Sequence, residues 1–167
     1  MGHLDNVRTG VVLAAISIAL AGCGGEKKPT AAAAFRGIYT TSSDCAGSGK
    51  INAEQCIVAM EKAVIEHEKA APSYTSLRSC ENTEGKDRCE RTHTGSYRPV
   101  LLAFLVTAST PPKATPLYAP GDKKVGFRTA AKEFFLTSDD SVAMSQHAQT
   151  LAEANVDKRS AAKPKGL

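Results

Sequence analysis

NAEQCIVAMEKAVIEHEKAAP, residues Asn52 to Pro72, is the stretch on which the fold turns. Ala53, Cys56, Ile57, Met60, Ala63, Val64, His67, Ala70 and Ala71 recur at the three-four spacing of one helix face. Glu54, Gln55, Glu61, Lys62, Glu66 and Lys69 lie off that face. Asn52 is a good N-cap, and Gln55 three residues on completes a capping-box pattern. Pro72 cannot continue a helix. The spacing therefore predicts a helix over 53–71. Thr75 or Ser76 can cap a second, shorter helix through Leu77 and Cys80 that ends before Gly85. Together they form a helical hairpin turning at Pro72-Ser73.

Downstream, Val100 to Ala108 reads VLLAFLVTA, apolar all round and bounded by Pro99 and Pro111-Pro112. Periodicity does not separate a buried strand from a short buried helix in such a run. Pro99 at a first helical position tilts the reading toward helix. Core is favoured over a partner contact for this run, because a small domain needs it. Leu117-Tyr118-Ala119, the turn Pro120-Gly121-Asp122 and Val125 to Thr129 read as a β-hairpin, with Phe134-Phe135-Leu136 as a third strand. Ser138, followed by Asp139 and Asp140, can open a last helix, since acids favour a first turn. Its apolar face is thin: Val142, Leu151 and Val156.

Upstream, Gly10 to Leu20 (GVVLAAISIAL) is apolar or small throughout and follows Arg8 and the chain's own amine, with Asp5 diluting that positive flank. A run of ~11 residues is about 16 Å long as a helix, and a spanning helix needs ~20 residues. The run fits the apolar region of a signal peptide. Leu20-Ala21-Gly22-Cys23 resembles the lipobox of bacterial lipoproteins. That resemblance implies diacylglycerol on Cys23, cleavage before it, and acylation of the new amine by a chain such as palmitate. Two or more chains anchor stably where one is marginal. Gly24, rather than Asp, leans toward the outer membrane by the same resemblance. Lys27 and Lys28 lie close to where headgroups would be.

The expected organisation is a signal peptide over 1–22, lipidated Cys23 and a tether over 23–34, and a globular domain over 35–137. A possible helix over 138–159 and a disordered tail over 160–167 complete it. The fold class is α+β: a small disulfide-stapled domain with a helical hairpin and a short β-hairpin. Staples matter, because 5% of residues are aromatic and Trp is absent. With Cys23 set aside, Cys45, Cys56, Cys80 and Cys89 remain, and an exported chain pairs them in an oxidising space. Three connectivities are open. A helical hairpin turning between residues 72 and 73 favours Cys56 with Cys89, leaving Cys45 with Cys80. The local alternative is Cys45–Cys56 with Cys80–Cys89. Redox catalysis and zinc both need shorter cysteine spacings than these.

Several of these features together resemble the YgiB-type family of bacterial lipoproteins, a family of unknown function. They are the lipobox, Asp44-Cys45, Cys56, Ala71-Pro72-Ser73-Tyr74, Cys80, Cys89, Pro116-Leu117-Tyr118 and Gly126-Phe127-Arg128-Thr129. The resemblance runs from about Tyr39 to Arg128, and the chain departs from the family's low-complexity end where Ser138 to Arg159 looks helical. It implies an envelope lipoprotein with no established enzymatic site.

A search for chemistry finds no coherent set. The net charge of +4 is spread along the chain, unlike a nucleic-acid binder. In AGSGKI, Asp44 stands where a phosphate loop needs its first glycine and Ile51 where it needs Ser or Thr. His67-Glu68 lacks the second histidine of a zinc protease, since position 71 is Ala. His67 is expected to edge the packed helix face, and His93 and His147 to lie on the surface. The acids Asp44, Glu66 and Asp122 show no partner pattern. The expected role is non-catalytic binding or scaffolding, facing the periplasm, with no cofactor, no catalytic residue and no metal. The membrane is the partner through Cys23, with an envelope protein as a possible second one. The alternative is an enzyme or accessory subunit using His67 or His93 with a nearby acid on an envelope substrate.

Overall fold

Residues 34–121 and 124–161 are described in a computed structural model of the chain. The predicted signal peptide, Cys23, Lys27, Lys28, all of the tether but Ala34, Asp122, and the last six residues of the tail lie outside them. The elements run β1 (Arg36–Tyr39), α1 (Ser42–Gly47), α2 (Ala53–Ala70), α3 (Leu77–Glu84), β2 (Cys89–Arg91), β3 (Tyr97–Pro99), β4 (Ala103–Thr107), β5 (Lys113–Leu117), β6 (Gly126–Arg128), β7 (Phe134–Leu136), β8 (Ala143–Met144) and α4 (Gln146–Ala161). The fold is α+β, as its alternation of patterns predicts.

A four-stranded sheet in the order β5-β4-β1-β8 forms the centre, antiparallel except for the short parallel β1–β8 pair. It is covered on both faces. On one, Tyr39, Phe104, Val106 and Ala114 meet Cys45 of α1 and Cys56, Ala59, Met60 and Ala63 of α2. On the other, Ile38, Ala103, Leu105 and Leu117 meet Phe127 and Phe135 of β6–β7, Val142, and Ala148 and Ala152 of α4.

This two-sided burial corrects the helical reading of VLLAFLVTA. A central strand covered on both faces has no polar side, so its sequence is a continuous apolar run. Ala103 and Leu105 face one core, and Phe104 and Val106 the other. Pro99 ends β3 instead of opening a helix.

The long helix forms where its spacing places it. Asn52 Oδ1 accepts from the Gln55 N–H at 2.9 Å, and Ala71 ends the helix before Pro72. Its buried stripe is narrower than predicted: Ala59 is inside, whereas Ile57 and Val64 are exposed, as are Val58 and Ile65. Ser76 caps α3 through the Ser79 N–H.

Both disulfides follow the local alternative, Cys45–Cys56 with Cys80–Cys89, at Cα separations of 6.1 and 6.2 Å. The favoured Cys56–Cys89 and Cys45–Cys80 pairing assumed equal helical rise in two continuous arms. Cys89 instead begins a strand, and Cys45 sits on a separate short helix.

The predicted hairpin around Pro120-Gly121 shrinks to one bridge. Tyr118 and Arg128 exchange backbone hydrogen bonds of 2.8 and 2.9 Å, while the ladder of β6 runs to β7. The last helix starts later than Ser138. Asp139 accepts from the Ser141 N–H in a turn, and the Ser145 hydroxyl caps α4 through the Ala148 N–H at 3.2 Å. Residues 160 and 161, expected in the tail, are helical. Among the described residues no helix is long and apolar enough to cross a membrane.

Candidate functional site

Residues 71–100 carry α3, β2 and β3, yet none of their side chains joins either apolar core. The unit is stapled internally by Cys80–Cys89, buries Cys80 and Pro99, and is tied to the rest of the domain by three polar contacts. From α3, the buried Glu84 carboxylate accepts from the guanidinium of Arg128 on β6 and from the Tyr74 hydroxyl, the latter at 2.5 Å. Just before β2, the buried Arg88 guanidinium donates to the side-chain and backbone oxygens of Asn155 on α4, the second contact being 2.6 Å. On β2, Glu90 Oε1 lies 3.2 Å from His67 Nε2 and accepts from Arg98 Nε at 2.6 Å. Three polar contacts, from Glu84, Arg88 and Glu90, thus join this unit to β6, α4 and α2.

The third contact continues inward. His67 Nδ1 lies 3.1 Å from the Tyr118 hydroxyl, and the Arg128 guanidinium sits 5.6 Å from the Tyr118 ring centroid. A chain of polar groups therefore runs Arg98, Glu90, His67, Tyr118, Arg128, Glu84, Tyr74. Burial, reinforced by the neighbouring Glu84, pushes the Tyr74 hydroxyl up to about 12. Burial does the same to Tyr118, also to about 12, against the opposing Arg128 charge. Burial alone would raise Glu90, but the hydrogen bonds from Arg98 and His67 hold its carboxyl below the usual range.

Two clefts open over this chain, one on each side of the loop joining β6 to β7. The first, of about 260 Å³, has Tyr118, Thr129 and Glu66 in its lining. The second, of about 350 Å³, lies along the seam between residues 71–100 and the β6–β7 hairpin. Glu84 and Arg128 line it, with Tyr74, Lys132, Pro72 and Phe134 around them.

The residues singled out from the sequence distribute as follows. Cys45, Cys56, Cys80 and Cys89 are consumed in disulfides. His67 packs at the helix face, as expected, and is 3% exposed. His93 is exposed, and His147 is exposed with Nδ1 3.6 Å from Asp44. Asp44 does structural work: its Oδ2 accepts from the Thr40 N–H at 3.1 Å and the Ser145 hydroxyl at 2.5 Å, tying α1 to α4. Glu66 borders the first cleft and Asp122 is outside the described residues. Glu84 and Arg88 carry no motif, and Arg128 is named from the sequence only as part of the family resemblance, with no role. The one signal for Arg128 is its place in the run VGFRTA, where a lone charge interrupts apolar and small residues.

These features define a small α+β domain, doubly stapled, with a charged cleft along an internal polar seam. The chain belongs to a family described as a protein of unknown function, DUF1190, whose model matches residues 34–166. Neither a curated protein nor a solved structure matches it.

Proposed function

We propose that this is a lipid-anchored protein of the cell envelope, held through Cys23 to the outer membrane and facing the periplasm. Its domain acts as a non-catalytic binding or scaffolding module. One observation carries the reading: the domain closes four of the five cysteines into two bridges, and the fifth falls in LAGC after a short apolar run. Disulfides persist in exported proteins and are rare where thiols are kept reduced. An unpaired cysteine behind an apolar run too short to span finds its use in lipid attachment. The lipobox resemblance, and that to YgiB-type lipoproteins, support the same reading.

Replacing Cys23 by Ser tests it. The variant loses lipid and the cleavage that depends on it, so its mass and its membrane partition both change. A Cys23→Ser protein that differs in mass from wild type only by the sulfur-to-oxygen exchange and keeps wild-type membrane retention would contradict the anchor.

A second reading, an enzyme or accessory subunit, draws on His67 between Tyr118 and Glu90. Both His67 and Tyr118 are almost fully buried, which suits a structural relay better than attack on a substrate. A His67→Gln, His93→Gln double variant that keeps its fold yet reproduces the deletion phenotype would favour catalysis over binding.

A further inference from the structure

We propose that the cleft along the seam between residues 71–100 and the β6–β7 hairpin binds a carboxylate carried on a small apolar body. This deepens the binding reading of the domain and is independent of the anchor on Cys23.

The size fits. About 350 Å³ lies within the ~300–1,000 Å³ typical of small-molecule sites. The charge fits as well. The lining holds two cations, Arg128 and Lys132, and one anion, Glu84, so 2 − 1 leaves one positive charge unbalanced. The Glu84 carboxylate is already committed, accepting from Arg128 and from the Tyr74 hydroxyl. The Arg128 guanidinium is less fully used. Of its five N–H donors, one goes to Thr129 O at 3.0 Å and one to Glu84. A planar fork of this kind matches a carboxylate in two-point geometry.

Lys132 adds a second, exposed charge. It stands in the β6–β7 loop with φ at +65°, a left-handed conformation uncommon for a side-chain-bearing residue. The loop closes around it: the Lys132 N–H donates to Thr129 O at 3.1 Å. Of the remaining walls, Pro72, Ala130 and Phe134 are apolar, beside Thr83 and Gly121, and Phe134 is 38% exposed. Lys124 Nζ lies 4.3 Å from the Phe134 ring centroid, so Pro72 and the rest of the Phe134 ring offer surface to a ligand body, whereas a bare inorganic anion would leave it wet. A single surplus charge beside an apolar wall selects a monoanion with an apolar body.

The test uses the purified full chain, with benzoate as probe and benzamide as its uncharged isostere, followed by ligand-observed saturation-transfer NMR. Benzoate is expected to bind saturably, and benzamide about tenfold more weakly, the worth of one charged hydrogen-bonded contact. Because Arg128 and Glu84 hold the fold together, the informative variant is exposed Lys132→Gln. It should weaken benzoate about fivefold, while Lys86→Gln, outside the cleft, leaves binding unchanged. The proposal fails if benzoate gives no saturable signal, or if benzamide binds equally well. It also fails if the two lysine variants behave alike, or if inorganic phosphate displaces benzoate as effectively as benzoate itself. None of these results bears on membrane attachment, which the Cys23→Ser variant reads separately.

Discussion

Replacing Cys80 and Cys89 together by alanine should loosen one part of this domain and leave the rest nearly intact. The two disulfides span 9 and 11 residues of sequence. Loop-closure entropy assigns them nearly the same stabilisation, about 2.6 and about 2.8 kcal/mol at 25 °C. Their surroundings differ. Cys45 and Cys56 are fully buried in the core that joins α1 and α2 to the sheet. Removing them deletes packed sulfur as well as a crosslink, and the cavity cost adds to the entropy. Cys80 is as fully buried as these two, but Cys80–Cys89 closes a unit with no member in either core cluster, so the cost of its loss falls within that unit. Its loss should therefore appear first as local opening of residues 71–100, held then chiefly by the contacts of Glu84, Arg88 and Glu90. Native-state hydrogen exchange reads this directly. In the Cys80→Ala, Cys89→Ala variant, amides of α3, β2 and β3 should exchange about eightyfold faster, the factor equivalent to about 2.6 kcal/mol. Amides of β4 and β5 should change little. In the Cys45→Ala, Cys56→Ala variant, protection should fall throughout. Equal acceleration of β4 and α3 on losing Cys80–Cys89 would refute the division into a core and a polar-docked unit.

Two other perturbations probe separate points. At Gly126, with φ at +154°, an added Cβ would lie 2.1 Å from Phe135 O on the paired strand. Gly126→Ala should therefore destabilise by about 3 kcal/mol or more by denaturant titration, and a wild-type midpoint would overturn the close approach. Tyr74 and Tyr118 both titrate higher in the fold, at about 12, than their ordinary value of 10.0. The native state thus holds these protons more tightly than the unfolded chain. Their contribution is complete below pH 10.0 and is lost as pH rises toward about 12. Alkaline unfolding followed by tyrosinate absorbance should show both tyrosines ionising with loss of structure, and independent ionisation near pH 10.0 in a folded protein would contradict their burial.

The long helix was legible because capping, periodicity and a proline stop all agree on it. Residues 134–136 were legible as a strand for a similar reason, a short aromatic run between turn residues. The run at 100–108 was not, since only the tertiary fact of two covered faces separates a central strand from a buried helix. The cysteines told their number but not their partners. Pairing depends on where Cys89 and Cys45 sit in space, and a strand and a separate short helix break the equal-rise arithmetic. The stripe of α2 was read too wide because Ile57 and Val64 are apolar yet left in water, while Ala59 is small and taken in. The cleft was least legible of all. Glu84 and Arg128 are far apart in sequence; the lone charge in VGFRTA hints at Arg128, but nothing local marks Glu84 as its partner.

The anchor on Cys23 and the two local bridges meet in one measurement: the intact mass of the protein extracted from membranes, taken with thiol alkylation before and after reduction. The expected result is a chain beginning at Cys23 and carrying acyl chains. It should take up no alkylating label before reduction and four labels after, from Cys45, Cys56, Cys80 and Cys89. Peptide mapping should then join Cys45 to Cys56 and Cys80 to Cys89. A chain of full length from Met1, with a free thiol at Cys23 and no lipid, would contradict it.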